Sequence, residues 1–223
     1  MAGRKQRNRR HRGAPNGAGK KGNYDRKDAY YRRAKAEGYR SRAAYKLLEV
    51  AERYQLLPRG GRILDLGCWP GGWLQVAAAV AGPNATIVGV DLKETEPLPG
   101  VTVLTGDVRD VAALEAVRRA TPGGAYDVVL ADLSPNLSGV KSSDEARAYE
   151  LNDMTIAVAE AVLVPGGKLL MKTFMSGETQ AMMRRARSGF SSVRLTNLAA
   201  SRKGSGEQYL VARDRRPRAP DFG

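Results

Sequence analysis

One cysteine, Cys68, and one histidine, His11, are all that the 223 residues contain of either type. A single thiol excludes an intrachain disulfide and a zinc site built from thiolates, and it fits a reducing, cytoplasmic setting. His11 lies in the N-terminal tail, which excludes a histidine-based triad or a histidine metal site in the folded part; no cluster of metal-ligand residues stands elsewhere, so no metal is expected. No apolar run approaches the length needed to span a bilayer. Residues 1–22 hold no acidic residue. The arginines there have no apolar segment behind them, unlike a secretory signal. Glycine and proline interruptions and a shortage of large apolar residues argue against a transit peptide.

What is abundant is positive charge. The formal net charge is +14, and residues 1–22 carry eight basic side chains, Arg4, Lys5, Arg7, Arg9, Arg10, Arg12, Lys20 and Lys21. Such a balance calls for a polyanionic partner, because cations that neutralise phosphates release counterions and supply affinity without sequence specificity. A merely solubilising tail is the plainer alternative. With minimal apolar content to offset chain entropy, residues 1–22 are expected to be disordered. The 42% apolar composition suffices for one domain with a full core, read as residues 23–213, with 214–223 as a short basic C-terminal tail.

Residues 24–37 interleave Tyr24, Tyr30 and Tyr31 with basic residues, which suits a helix or an extended arm and either RNA stacking or packing on the domain. From Ser41, strong helix formers with an apolar face predict a helix ending near Tyr54, and Pro58-Arg-Gly-Gly61 stops it. Beyond that, candidate strands at 62–66, 86–91, 101–104, 126–131, 167–173, 191–195 and 207–212 alternate with candidate helices at 71–81, 108–120, 144–163 and 177–188. The alternation predicts an α/β fold: a mostly parallel seven-stranded sheet with helices on both faces and an antiparallel end.

The turn Asp65-Leu-Gly-Cys-Trp-Pro-Gly-Gly-Trp73 follows the apolar run Ile63-Leu64. A glycine-rich strand-to-helix turn brings bare backbone against a nucleotide-like ligand. It is not the dinucleotide fingerprint, because Trp69 stands where the second glycine would be; the remaining common nucleoside cofactor of such folds is S-adenosylmethionine (SAM). Ligands in open α/β sheets bind outside the carboxyl ends of the strands, and each acidic residue of interest falls at such an end. Asp91 closes the second strand, where it can accept ribose hydroxyls. Asp107 follows the third, where a carboxylate can accept from an adenine amino group, and Asp132 follows the fourth. A loop aspartate capping a helix is the plain reading for any one of them. Cys68 reads as a small packed residue, since no histidine is available to activate it.

Ser41-Arg-Ala-Ala-Tyr-Lys-Leu-Leu48, the Asp65–Trp73 turn, Asp132-Leu-Ser-Pro-Asn-Leu-Ser-Gly139 and Gly166-Gly-Lys-Leu-Leu-Met-Lys172 together resemble the FtsJ family of SAM-dependent RNA ribose 2′-O-methyltransferases, from about residue 24 to 212. The likeness is greatest to its bacterial branch, which methylates a uridine of 23S ribosomal RNA in the large subunit. It implies a Rossmann-like methyltransferase fold, a catalytic tetrad of Lys46, Asp132, Lys172 and Glu207, and SAM contacts from Gly67, Gly71, Trp73, Asp91, Asp107 and Asp132. The family usually carries small residues where this chain has Cys68-Trp69. A tryptophan there either narrows the methionine end of the cofactor pocket or lies over its rim.

The chemistry of the tetrad has its own logic. A ribose 2′-hydroxyl is a poor nucleophile until its proton is removed, and a lysine serves as base only if its pKa, ordinarily about 10.4, is lowered. Desolvation and a neighbouring cation both lower it. On this reading Lys172 is the base, Lys46 the second cation, Asp132 the group that orients the ammonium, and Glu207 the residue that positions Lys46 or the ribose. Asn136 can face a nucleotide, and Arg32, Arg33, Arg40 and Arg42 can grip phosphates. The expected partner is RNA, within the 50S subunit, with no DNA and no membrane, and the protein a monomer. Two other readings stay open: 2′-O-methylation of transfer RNA or a messenger cap, and a non-catalytic RNA-binding or ribosome-assembly factor. An NAD-dependent oxidoreductase is disfavoured by Trp69 and by the absence of a histidine in the domain.

Overall fold

A computed structural model describes residues 29–135, 138–201 and 206–217. Their elements, in chain order, are α1 (Ala29–Ala36), α2 (Ala44–Tyr54), β1 (Arg62–Leu66), α3 (Gly72–Ala81), β2 (Thr86–Asp91), β3 (Val101–Thr105), α4 (Val111–Arg119), β4 (Tyr126–Ala131), α5 (Lys141–Val162), β5 (Leu163–Phe174), α6 (Thr179–Gly189), β6 (Phe190–Thr196) and β7 (Glu207–Arg215). The seven strands form one sheet in the order β3-β2-β1-β4-β5-β7-β6. Pairings from β3 through β5 are parallel, and β7 runs antiparallel to both neighbours. This is the Rossmann-like methyltransferase architecture anticipated from the sequence.

Near-continuous apolar runs such as Ile63-Leu64 and Val128-Val129-Leu130 become strands buried on both faces, as parallel sheets require. Alternate residues serve the two faces. Leu64, Val88, Val129, Leu169 and Met171 pack with Val117, Ile156 and Met182 of α4, α5 and α6. Ile63, Ile87, Val128, Leu130 and Leu170 pack with Leu47, Val50, Leu74 and Val76 of α2 and α3. Helix α1 joins through a small cluster in which Ala34, Tyr45 and Ala200 are buried with Tyr30 against them.

Several boundaries differ from the sequence reading: α4 begins at Val111 rather than 108, and β7 runs to Arg215 rather than 212, into the expected C-terminal tail. Two further shifts have identifiable reasons. β5 begins at Leu163 rather than 167, because Leu163 already pairs with Tyr126 before the register shifts between Tyr126 and Val128. α5 begins at Lys141 rather than 144, since the Asp144 carboxylate accepts from the amides of Ser138 and Gly139, 2.7 and 3.0 Å away, and fixes the chain entering the helix. The basic tail of residues 1–22, Tyr24, Asn136 and residues 218–223 lie outside the described residues.

Strand order reverses between β1 and β4, so the carboxyl ends of β1, β2, β3 and β4 surround a single crevice. Asp91, Asp107 and Asp132, which the sequence places at strand ends, are delivered there by that topology.

Candidate active site

The crevice contains a cavity of about 1020 Å³ whose lining includes Gly67, Trp69, Asp91, Leu92, Asp107 and Asp132. Gly67 has a φ of 76°, a conformation that favours glycine, and a Cβ there would sit 2.5 Å from Leu133 Cδ2 and push that side chain aside. Gly71 has a φ of 107° and is packed by the Arg40 side chain. Asp91 Oδ2 accepts from the Trp69 amide at 2.9 Å and Oδ1 from the Lys93 amide at 2.8 Å. A carboxylate has about four acceptor positions, so capacity for ribose hydroxyls remains. The Asp107 carboxylate is paired with the Arg109 guanidinium, whose hydrogen bonds hold it below the usual carboxylate range.

Trp69 stands at the rim, 51% exposed, with the Lys93 ammonium 4.4 Å from its ring centre. Cys68 beside it is buried, and burial pushes its thiol up to about 12, which suits packing rather than nucleophilic attack. Gly71 and Trp73 do not line the cavity. Trp73 is buried in the α2–α3 core, where its indole donates to the Ala43 carbonyl at 2.8 Å.

Lys46, Asp132, Lys172 and Glu207 come together on the α2 side of the sheet as two ion pairs. Lys46 on α2 is buried and its Nζ lies 2.8 Å from Glu207 Oε1 and 2.9 Å from Oε2. Burial raises the Glu207 pKa, but hydrogen bonds from Lys46 and Ser201 outweigh it and the net shift is downward. Lys172 Nζ lies 2.9 Å from Asp132 Oδ1, 3.1 Å from the Asp132 carbonyl and 2.6 Å from Ser134 Oγ. Between the pairs stands Tyr209, fully buried, its hydroxyl 3.3 Å from Asp132 Oδ1 and its ring centre 5.7 Å from Lys46 Nζ. Burial first, then the Asp132 and Glu207 charges, drive the Tyr209 pKa far upward, so the phenol stays a neutral donor.

Several of these residues escaped the sequence reading. Tyr209 was findable: it follows Glu207 by two positions in a strand, on the same face, and its register partner is Lys172. Ser134 lies inside the Asp132–Gly139 motif, where the resemblance assigns a role to Asp132 and none to the serine. Arg40 was expected to grip phosphate; instead its guanidinium donates to the carbonyls of Pro70, Glu96 and Pro97 at 3.4, 2.6 and 2.9 Å. Arg33 is paired with Glu37 at 2.7 Å and lies over the Tyr45 ring.

A glycine-turned Rossmann-like sheet with acidic strand ends and a lysine–carboxylate cluster beside the cavity defines the class: a nucleoside-cofactor methyltransferase. The FtsJ-like methyltransferase model matches residues 39–215, and the chain belongs to that family. It is 45% identical over 188 residues to ribosomal RNA large subunit methyltransferase E of Acidithiobacillus ferrooxidans, covering 84% of this chain and 85% of the relative. The protein of that name from Archaeoglobus fulgidus is 41% identical, covering 85% of this chain and 96% of its own length. Among solved structures, a ribosomal RNA methyltransferase from Plasmodium falciparum superposes with a TM-score of 0.70 at 28% identity, covering 81% of this chain and all of that one.

Proposed function

We propose that the protein is a SAM-dependent RNA ribose 2′-O-methyltransferase that acts on a uridine of the large-subunit ribosomal RNA. The observation that carries this reading is the arrangement of Lys46, Asp132, Lys172 and Glu207 as two largely shielded ion pairs, with Asp132 lining the cavity. The substrate class is supported by the shared name of the relatives and by the +14 charge. The cavity suits a nucleoside cofactor, with bare backbone at Gly67, carboxylates at Asp91 and Asp107, and apolar walls at Leu92, Val108 and Met154. When bound, SAM supplies an electrophilic methyl group on a cationic sulfur.

The chain's own residues do the rest. Asp91 would hold ribose hydroxyls of the cofactor and Asp107 its adenine amino group. Asp132 fixes Lys172 through two acceptor atoms, and the phenol of Tyr209 steadies Asp132 from behind. Lys172 takes the proton of the attacking 2′-hydroxyl. Lys46, clamped by Glu207, presents a second positive charge toward the acceptor.

Lys172→Ala is expected to reduce methyl transfer to large-subunit RNA by at least about 10²-fold while leaving SAM affinity within a few-fold in calorimetry. Turnover equal to that of the unaltered protein would remove Lys172 from the reaction.

A further inference from the structure

Three polar atoms surround Lys172 Nζ among the described residues, and they are not equivalent. Asp132 Oδ1 and the Asp132 carbonyl oxygen, at 2.9 and 3.1 Å, can only accept. Ser134 Oγ, at 2.6 Å, can accept or donate. As an ammonium, Lys172 satisfies all three with its three N–H groups. As a neutral amine it keeps two N–H groups, which the two Asp132 oxygens demand. Its lone pair is then left facing Ser134, and only Ser134 can turn its own proton toward it.

Access points the same way. The Lys172 side chain is 8% exposed and is absent from the cavity lining, whereas Ser134 is exposed and lines it beside Asp132 and Pro135. On its remaining sides Lys172 has the Phe174 ring, 5.9 Å from Nζ to the ring centre, and Tyr209 as its register partner across the sheet. A hydroxyl placed against the edge of the cavity formed by Asp132 and Ser134 therefore meets Ser134 before it reaches Lys172.

We propose that Ser134 is a catalytic residue that relays the proton of the ribose hydroxyl to Lys172. The inference rests on the reading of Lys172 as base. In the step, the ribose O–H bond breaks and its proton passes to Ser134 Oγ as the Ser134 proton passes to Lys172 Nζ. The ribose oxygen forms its bond to the methyl carbon while the donor's sulfur–methyl bond breaks, the electron pair remaining on sulfur. Serine returns to its starting state, Lys172 ends as the ammonium, and the cofactor product is a neutral thioether. No further reactant is needed.

The test uses the full chain, unmodified large subunits as acceptor, and single-turnover methyl transfer in water–deuterium oxide mixtures, with SAM affinity measured separately by calorimetry. Ser134→Ala is expected to slow transfer by about 10²-fold, at the low end of what positioned proton transfer contributes, with SAM affinity unchanged within about twofold. Ser134→Thr, which keeps the hydroxyl, is expected to restore the rate to within about threefold. The unaltered protein is expected to show a curved dependence on deuterium fraction, reporting two protons in flight, and Ser134→Ala to lose that curvature. A Ser134→Ala protein with full rate and the same curvature overturns the relay, as does equal loss in the alanine and threonine variants with SAM binding intact. A slow Lys172→Ala beside an unimpaired Ser134→Ala removes the relay and spares the base; a fast Lys172→Ala removes both.

Discussion

Two carboxylates of this molecule, Asp65 buried and Glu207 partly so, have opposite electrostatic fates, decided by their partners. Glu207 meets Lys46 and Ser201 and its pKa falls despite burial. Asp65, 1% exposed at the end of β1, has no hydrogen-bond donor for either oxygen among the described residues. Burial, then the charges of Asp132 and Asp91, drive its pKa well above the carboxylate range. The signs follow from linkage. A raised folded-state pKa means that the stability associated with Asp65 is full below the ordinary carboxylate range and is lost as pH rises through that range toward the folded value. Asp65→Asn removes that loss, so its melting temperature relative to the unaltered protein is expected to rise as pH climbs from the ordinary carboxylate range; a constant difference would contradict the account. Glu207 is the reverse case, stabilising above the ordinary carboxylate range and losing that contribution as pH falls through its depressed value. Glu207→Gln leaves Lys46 buried and uncompensated, and is expected to cost about 3 kcal/mol at neutral pH, with the cost shrinking below pH 4 in urea titrations.

Among elements, Arg40 is the residue that joins three segments of the chain. It ties the segment before α2 to the glycine turn through Pro70 and to the β2–β3 connection through Glu96 and Pro97, and its amide is held by Gln75 of α3 at 2.8 Å. Arg40→Ala is expected to weaken SAM binding about tenfold, the low end of what one lost hydrogen bond to a charged group contributes, without abolishing folding; an unchanged affinity in calorimetry would show that the turn holds itself. Legibility in the sequence divides along the same line. Strands such as 62–66 and 126–131 were readable because burial on both faces demands uninterrupted apolar runs. The placement of Asp91, Asp107 and Asp132 around one cavity was readable because topology brings the strand ends together. Arg40 and Ser134 were not, because their roles arise from partners 30 to 57 and 38 positions away that no local pattern encodes. The early start of β5 has the same origin in the Tyr126–Leu163 pair.

For the molecule as a whole, the sheet supplies the site and the charge supplies the partner. Much of the +14 is concentrated in residues 1–22, with eight cations and no carboxylate. Removing those residues is expected to weaken RNA affinity and to flatten its dependence on salt, since each phosphate contact contributes about 0.7 to 0.9 to the logarithmic slope; an unaltered slope would show that they make no phosphate contacts. The central claim is that this chain methylates a ribose of large-subunit RNA, and one measurement tests it most directly. Labelled methyl from SAM is offered to unmodified 50S subunits, free 23S ribosomal RNA and bulk transfer RNA, and the labelled nucleoside is then mapped. The account predicts label on the 2′-oxygen of a uridine in 23S ribosomal RNA; label on a base, on transfer RNA alone, or on no RNA despite bound SAM would contradict it.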